Sequence, residues 1–484
     1  MYNVENKIPI HIGLFGHIDS GKTSIAAILS EIISTAGIDA HPQSKERGIT
    51  IDLGFTSLIL DDYLITLVDG PGHADLIKIS ASSVEIIDIA VIVIDINKGP
   101  QVQTGEHIVM IEALEIKKII VILNKIDLFK GNLDREIDKI KDFFKSTTYG
   151  SNISIYAVSA KQKKGFEELK KGILTNIKQL KIKRDIEGNI ILPIDHHFSI
   201  KGRGAILTGT LLKGTLSLNH KLTILPINEE GRVKSIQIFH QDFSSAKAGD
   251  RVGVNLKGID INKVYRGCYA TDDPKLFEYC DLVEIKVNKN PLFKPEIPFG
   301  TQVHSTIGMF TTSGFIYPYK EENGKLLETS ISKGKNDFSA FLWLNEKILF
   351  AKEKSRILLS RLDLPPTSLR ILGAAKLIKI HNEPPKLYRI KTKRGKIENP
   401  DHSQGIVCSG LAQSLIGAKK VIGKNLEPPF TKILSSFGTK GAVIIGIERD
   451  ENQQKTEVKK GDKVLLKELR SFTLKSKKDL NVQN

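Results

Sequence analysis

The sequence is poor in cysteine and has no long apolar run, and each shortage excludes a class of protein. Its three cysteines, Cys268, Cys280 and Cys408, lie far apart and form no C-x-x-C pair. This spacing argues against a disulfide framework or a zinc ribbon, and it suits a reducing cytosol. No apolar run is long enough to span a membrane, and the first residues lack a signal-peptide pattern. The sequence therefore predicts a cytoplasmic protein without a membrane segment.

Acidic residues are too few to balance the basic ones. The formal net charge is +16 and the isoelectric point is about 9.4. From Lys386 to Asn484, about 21 Lys and Arg stand against about 10 Asp and Glu. A polyanionic partner explains this excess, and a generally basic proteome is the other explanation. If the partner is a polyanion, phosphate contacts are expected in the last domain.

The stretch Gly16–Thr23 has the glycine spacing of a phosphate-binding loop. It follows a strand-like run at 8–15 and precedes a helix-like run at 24–33, which is the context that such a loop requires. Glycines let backbone N–H groups point at phosphate oxygens, and the helix N-terminus adds positive potential. Lys22 is expected to reach the β- and γ-phosphates, and the Thr23 hydroxyl to bind Mg²⁺. A turn that matches by chance is the alternative.

Strand-like and helix-like runs alternate through about residue 180. The strands are predicted near 8–15, 52–59, 64–68, 89–95, 118–123 and 154–158, with amphipathic helices at 104–115, 132–145 and 165–178. This alternation predicts a largely parallel sheet with helices on both faces. Ligands of such sheets bind beyond the carboxyl ends of the strands, where the motifs fall.

The motif Asp69-Gly-Pro-Gly72 follows the third of these strands. Asp69 is expected to hold Mg²⁺ through water, and the Gly72 amide to approach a γ-phosphate. His73 comes next and can orient a water molecule for attack on that phosphate. Thr50 lies in a polar stretch upstream, and its hydroxyl is expected to complete the Mg²⁺ shell only with GTP bound, which makes this stretch a candidate switch. A common turn, a bystander histidine and a capping threonine are the alternatives.

The motif Asn124-Lys-Ile-Asp127 ends the fifth strand and indicates the base. A carboxylate at Asp127 accepts both N1–H and N2–H of guanine, whereas adenine would leave it unpaired. Asn124 is expected to contact the base edge or to brace the phosphate loop, and Ser159-Ala-Lys161 to offer a backbone N–H to guanine O6. GTP is therefore predicted rather than ATP. The predicted nucleotide-binding residues are Asp19, Ser20, Gly21, Lys22, Thr23, Ser24, Gly72, Asn124, Lys125, Asp127, Ser159, Ala160 and Lys161.

These motifs resemble those of the translational GTPases in the elongation factor Tu group. Arg47–Phe55, with Thr50 inside it, is most similar to the selenocysteine-specific elongation factors of archaeal type. The resemblance implies Thr23, Thr50 and Asp69 at Mg²⁺, a catalytic role for His73 at the hydrolytic water, and a monovalent cation at Asp19. Ser20 and Gly70 depart from the group, in which a histidine and a larger residue are usual. Gly70 adds backbone freedom beside the catalytic loop.

Four domains are predicted, giving a multidomain fold class. They are an α/β P-loop GTPase domain (1–180), two β-barrels (187–275 and 276–384) and a small, basic, β-rich C-terminal domain (386–484). The resemblance assigns the aminoacyl end of tRNA to the first barrel. In the second barrel Arg356, Arg361 and Arg370 can either touch a tRNA backbone or form a solvated face.

Three residues of the first barrel match the family's aminoacyl pocket: Asp195, His196 and Arg251. A selenol is more acidic than a thiol, whose pKa is about 8.5, and should be an anion at neutral pH. A cationic pair of His196 and Arg251, with Asp195 orienting one of them, would favour selenolate over a serine hydroxyl. Ordinary salt bridges at the barrel surface are the alternative.

The leading hypothesis is a GTPase that delivers selenocysteyl-tRNA to the ribosome at recoded UGA codons, acting as a monomer. The C-terminal domain would bind a selenocysteine-insertion RNA element or its binding protein, on resemblance alone. The alternatives are an initiator-tRNA-binding gamma subunit of an initiation factor and an RNA-binding module with a hydrolytically inactive pocket. No arginine finger is identifiable, so intrinsic hydrolysis is expected to be slow.

Overall fold

A computed structural model describes residues 4–33, 54–70, 86–200, 204–332, 334, 337–352, 356–365, 367–448 and 457–475 of the chain. Thr50, Gly72 and His73 lie outside the described residues. The chain divides into two compact units, a larger one that includes residues up to 318 and 330–382, and a smaller one of 319–329 and 383–475. Within the described residues, the helices are all too short or too polar to cross a bilayer.

The larger unit begins with a mostly parallel sheet flanked by helices. Its strands are β1 (Ile8–Phe15), β2 (Ile32–Ile33), β3 (Gly54–Leu60), β4 (Tyr63–Asp69), β5 (Ile89–Asp95), β6 (Lys118–Asn124) and β7 (Ser154–Ala157). Its helices are α1 (Lys22–Leu29), α2 (Val102–Ala113), α3 (Leu133–Phe144) and α4 (Phe166–Lys178). The strand order is β2-β3-β4-β1-β5-β6-β7, with β4, β1, β5, β6 and β7 parallel. This confirms the predicted α/β domain, because buried strands with near-continuous apolar sequences alternate with amphipathic helices.

The first helix ends earlier than its sequence pattern predicts. Residues 24–33 were expected to be helical, but α1 stops at Leu29 and Ser30 takes an extended conformation. The Ser30 hydroxyl bonds to Thr56 on β3 at 2.7 Å, and Ile32 and Ile33 pair with β3 as the edge strand β2. β-Branched residues favour an extended strand once a pairing edge is available.

Two β-barrels complete the larger unit. The first contains β8 (Leu192–Pro193), β9 (His196–Ile200), β10 (Gly204–Thr210), β11 (Thr215–Ser217), β12 (Lys221–Leu225), β13 (Glu229–Ile238), β14 (Gln241–Phe243), β15 (Ser245–Lys247), β16 (Arg251–Lys257) and β17 (Tyr269–Thr271). The second contains β18 (Phe277–Lys289), β19 (Thr301–Ile307), β20 (Phe310–Glu322), β22 (Asp337–Ala351), β23 (Arg356–Ser360) and β24 (Ile371–Ile380). Residues 319–322 at the end of β20 are assigned to the smaller unit. The pairing of β19 with β20 closes the second ring of six strands.

The smaller unit is β-rich, as predicted. Its elements are β21 (Lys325–Glu328), β25 (Lys386–Asn399), β26 (Ile406–Ser409), α5 (Leu415–Lys419), β27 (Phe430–Phe437), β28 (Ala442–Ile447) and β29 (Lys463–Thr473). Strands β25 and β29 form a long antiparallel ribbon. One end of the ribbon covers a core that includes Ile397, Val464 and Leu466. The sequence did not predict that the hairpin at 319–329 belongs to this unit.

Candidate functional site

The loop between β1 and α1 folds as a phosphate-binding loop at the carboxyl end of the sheet. Gly16 and Gly21 have φ of 135° and 93°, which side chains with a Cβ rarely adopt. A Cβ on Gly21 would lie 2.2 Å from the Asn124 side-chain nitrogen, and one on Gly16 would lie 2.3 Å from the Val93 carbonyl oxygen. Both glycines are therefore required by the geometry, because there is no room for a larger residue.

Lys22 turns its ammonium back over this loop. Its Nζ donates to the carbonyl oxygens of Gly16 at 3.1 Å and His17 at 2.9 Å. Burial lowers the pKa of Lys22, while the charges of Asp69 and Asp19 oppose that shift. An ammonium has three N–H donors, so these two carbonyls fix its direction and leave one donor to turn towards a phosphate.

The two predicted Mg²⁺ ligands in the described part of the chain lie side by side. Thr23 at the start of α1 donates its hydroxyl to Asp69 Oδ2 at 2.7 Å, and Asp69 at the end of β4 is fully buried. A hydroxyl and a carboxylate are ligands that Mg²⁺ accepts alongside phosphate oxygens. The Thr23 hydroxyl and the Asp69 carboxylate, next to the phosphate-binding loop, therefore fit a nucleotide with its Mg²⁺.

The predicted guanine residues meet at the ends of β6 and β7. Asn124 donates from Nδ2 to the Ser20 carbonyl oxygen at 2.9 Å and accepts from the Ala160 N–H at 3.1 Å. It thus braces the phosphate loop, which was one of its two predicted roles. Ser159 donates its hydroxyl to Asp127 Oδ1 at 2.5 Å and so orients the Asp127 carboxylate. Asp19, Ser24 and Lys161 are exposed around this cleft.

Lys125 lies on the same loop, and its ammonium is held by an aspartate that the sequence pattern did not identify. Its Nζ is 2.9 Å from Asp95 Oδ2 at the end of β5. Burial alone would raise the pKa of Asp95, but hydrogen bonds from Lys125 and Asn97 outweigh it and lower the pKa. This ion pair joins the ends of β5 and β6. A second link between them is the hydrogen bond that Asn97 donates to the Lys125 carbonyl oxygen at 3.3 Å.

Helix α2 supports the phosphate loop from its other side. Gln103 Oε1 accepts from the Ile18 N–H at 3.3 Å, and His107 Nδ1 accepts from the Gly16 N–H at 3.2 Å. Burial lowers the pKa of His107 to about 3, so the ring is neutral and can accept at neutral pH. Gln103 and His107 are four residues apart and therefore share one helix face. No motif in the sequence indicated this support.

Glu106, the residue before His107 on α2, joins this helix to the second barrel. Arg370 donates from Nε and Nη2 to the two carboxylate oxygens of Glu106, both at 2.9 Å. The side chains of this pair are 3% and 1% exposed. Arg370 therefore fits neither a tRNA contact nor a solvated face. Arg356 pairs with Glu115 at 2.9 Å, and Arg361 with Asp363 at 2.7 Å.

The three residues predicted for the aminoacyl pocket meet in the first barrel. Asp195 accepts from Arg251 at 2.6 and 3.1 Å, from His196 Nδ1 at 2.9 Å and from the Thr208 hydroxyl at 2.7 Å. Burial alone would raise the pKa of Asp195, but the Arg251 charge and these hydrogen bonds hold it well below its ordinary value. Asp195 thus orients both partners rather than one, and it neutralises Arg251.

Phe55 brings the nucleotide domain into this cluster. Its ring lies 3.3 Å below the Arg251 guanidinium carbon and packs edge-on against His196, with ring centroids 6.1 Å apart. Phe55 is fully buried on β3, five residues after Thr50 in the sequence. Its position in an apolar strand suggested a core residue, and nothing in the sequence indicated the contact with the barrel.

Family models match three parts of the chain. They describe the elongation factor Tu GTP binding domain (residues 7–179), elongation factor Tu domain 2 (residues 204–271) and domain III of the archaeal selenocysteine-specific elongation factor (residues 277–381). The first implies binding of GTP and GDP, typically with Mg²⁺.

Two relatives are both named selenocysteine-specific elongation factor. The protein from Methanocaldococcus jannaschii is 42% identical over 475 residues, which cover 96% of this chain and 98% of the relative. The protein from Mus musculus is 37% identical over 331 residues, covering 64% of this chain and 56% of the relative.

A solved structure also resembles this fold. It is translation elongation factor SelB from Methanococcus maripaludis in complex with the GTP analogue GppNHp, with 34% identity, a TM-score of 0.79, and coverage of 96% of this chain and 99% of that one. These comparisons do not favour the initiation-factor alternative. The GTPase fold and the near full-length match lead to one conclusion: the chain is a GTP-dependent translation elongation factor and belongs to the selenocysteine-specific elongation factors.

Proposed function

We propose that this chain carries selenocysteyl-tRNA to the ribosome at recoded UGA codons, in the cytoplasm and as a monomer, and that bound GTP controls its hold on the tRNA. The observation that carries this proposal is the contact of Phe55 with Arg251 and His196. Through it, the strand that follows the candidate switch reaches the aminoacyl cluster. Elements that order around a γ-phosphate are then linked to the part of the barrel expected to hold the amino acid.

The phosphates would be held by Lys22 and by backbone N–H groups of the loop from Asp19 to Ser24, with the Gly72 amide at the γ-phosphate. Thr23 and Thr50 would bind the Mg²⁺ directly and Asp69 through water. Bound Mg²⁺ would neutralise charge on the β- and γ-phosphates. The proposal for Thr23 and Asp69 is supported by their 2.7 Å hydrogen bond, whereas the other roles rest on the motifs.

The guanine would be read by the Asp127 carboxylate, with Asn124, Lys125 and the segment Ser159–Lys161 shaping its pocket. Asp19, which is exposed at the loop, would bind a monovalent cation. His73 would hold the attacking water against the γ-phosphate. Hydrolysis is expected to be slow until the ribosome positions His73, because no arginine finger is identifiable in the sequence.

Selectivity for selenocysteine would rest on His196. The Arg251–Asp195 pair carries no net charge, so a protonated His196, with about a quarter of its side chain exposed, would supply the positive charge for a selenolate. Arg251 would contribute any N–H group not used by Asp195, because a guanidinium has five donors. A serine hydroxyl would gain little from either group.

The test is competition between selenocysteyl-, seryl- and initiator methionyl-tRNA for the GTP form. The proposal predicts that selenocysteyl-tRNA binds at least tenfold more tightly than the other two. Equal affinities would refute the proposed substrate. Preference for the initiator would favour the initiation-factor alternative, and no GTP hydrolysis above background with ribosomes would favour a pure binding module.

A further inference from the structure

We propose that the outer face of the β25–β29 ribbon is a binding surface for single-stranded RNA. The family resemblance led us to expect that the C-terminal domain binds a selenocysteine-insertion RNA element or its binding protein. The proposal commits to RNA and rests on the proposed function only for its biological role. The ribbon pairs Tyr388 with Ser471 at one end and Lys396 with Lys463 at the other. Successive side chains of a strand alternate between the two faces, so this register assigns each residue to one face.

The inner face of the ribbon is accounted for within its own unit. It carries Val464 and Leu466, which are buried in the core. It also carries Glu468, which forms ion pairs with three basic side chains. Lys393 lies 3.6 Å from this carboxylate, Arg470 lies 3.0 Å away, and Lys424 also pairs with it. The one acid of the paired stretch is thus on the inner face and is neutralised locally.

The outer face carries cations and no acid over the same stretch. Its members are Tyr388, Ile390, Thr392, Arg394, Lys396, Lys463, Leu465, Lys467, Leu469 and Ser471. Lys467 pairs with Glu427. Arg394, Lys396 and Lys463 are exposed, and within the described residues none of them has an ion-pair partner. Three adjacent cations at one end of a sheet face attract a polyanion.

The other end of the outer face is apolar and aromatic. Ile390 and Leu469 face each other across the ribbon and are 50% and 43% exposed. Beside them the Tyr388 ring lies 5.5 Å from the Lys325 ammonium and 5.9 Å from that of Lys386. Exposed apolar side chains beside cations suit a ligand with flat bases and phosphates. An acidic peptide would satisfy the cations but would leave Ile390 and Leu469 in water.

The length of this face also suits a single strand. Eight residue steps from Tyr388 to Lys396 span about 26 Å at about 3.3 Å per residue. Small β-domains that bind single strands cover about 4–16 nucleotides. Double-stranded RNA would present phosphates to the cationic end but no unstacked base to the apolar end.

The test measures binding of a fluorescein-labelled 16-nucleotide oligouridylate to the full chain in its GDP form at about 100 mM salt. The variant Arg394→Glu/Lys396→Glu/Lys463→Glu should bind at least tenfold more weakly. Its salt slope should fall by about 2, since each phosphate contact to a single strand contributes about 0.7. The control Lys419→Glu/Lys420→Glu/Lys440→Glu changes the charge of the same unit equally and should stay within threefold of the wild type. If both triple variants weaken oligouridylate binding equally, the proposal of a defined binding surface is refuted.

A second variant tests the apolar end. Ile390→Ser/Leu469→Ser should weaken oligouridylate about fivefold and leave inorganic polyphosphate binding unchanged; unchanged RNA binding would overturn the proposal. A 16-residue polyglutamate that binds as tightly as the RNA and is lost in the same variants would indicate an acidic protein partner instead. Unchanged GDP affinity and melting temperature verify folding. Because GDP and tRNA assays report on the larger unit, failure here is distinguishable from failure of the proposed function.

Discussion

Replacing Arg370 by Met should destabilise the larger unit, because Glu106 would remain buried without its partner. Removing one member of a buried ion pair costs about 3–5 kcal/mol, and both carboxylate oxygens of Glu106 depend on Arg370. For a unit of about 370 residues, an unfolding entropy of about 2.1 cal/mol/K per residue converts this loss into a fall of about 4–6 °C in melting temperature.

The double variant Glu106→Leu/Arg370→Met provides the decisive comparison. Apolar side chains of similar size often replace a buried pair at little cost, so this variant should melt within about 2 °C of the wild type. The control is Arg361→Met, which breaks a more exposed pair with Asp363. It should lower the melting temperature by less than about 1.5 °C, since exposed pairs contribute about 0–1 kcal/mol. Differential scanning calorimetry measures all three. A double variant that melts no higher than Arg370→Met would refute this reasoning.

Three further predictions concern the nucleotide and aminoacyl sites. Phe55→Leu removes the ring beneath Arg251. The loss of about 1–2 kcal/mol should weaken selenocysteyl-tRNA binding about 5- to 30-fold and leave GTP affinity unchanged. Equal weakening of seryl-tRNA binding in a filter-binding assay would contradict this. Asp127→Asn should lose GTP but bind xanthosine triphosphate, whose O2 accepts from an amide, in equilibrium dialysis; retained guanine preference would contradict it. Burial lowers the pKa of His11 to about 4 and of His107 to about 3, below the usual 6.5, so their contribution to stability is present above pH 6.5 and lost as pH falls. From pH 6.5 to 5 each should cost about 1.6 kcal/mol. The variant His11→Asn/His107→Asn should flatten the pH dependence of the melting temperature, and an unchanged dependence would contradict this.

Local patterns in the sequence predicted the nucleotide domain closely. Strands β1 and β5 have the predicted bounds. The change from an apolar run to a polar loop marks where each strand begins and ends. Thr23 at the start of α1 and Asp69 at the end of β4, which the motifs placed near the carboxyl ends of the strands, do meet. A short motif carries its own geometry when each residue follows a strand of one parallel sheet.

Contacts between distant segments could not be predicted in the same way. The roles of Gln103 and His107 depend on how α2 packs against the phosphate loop. The roles of Phe55 and of the pair of Glu106 with Arg370 depend on how the barrels pack against the nucleotide domain. Arg370 resembled a surface cation because its partner lies 264 positions away. The basic excess from Lys386 to Asn484 suggested phosphate contacts in the last domain, but only the pairing of β25 with β29 separates an inner face from an outer one.

The central claim is that GTP in the cleft decides whether the chain holds selenocysteyl-tRNA. The most direct measurement is the rate at which the aminoacyl ester of selenocysteyl-tRNA hydrolyses in the presence of the chain with a GTP analogue, GDP or an ATP analogue. Bound tRNA should be protected with the GTP analogue only, with a half-life at least tenfold longer than with GDP. Equal protection by all three nucleotides, or protection by the ATP analogue, would contradict the account.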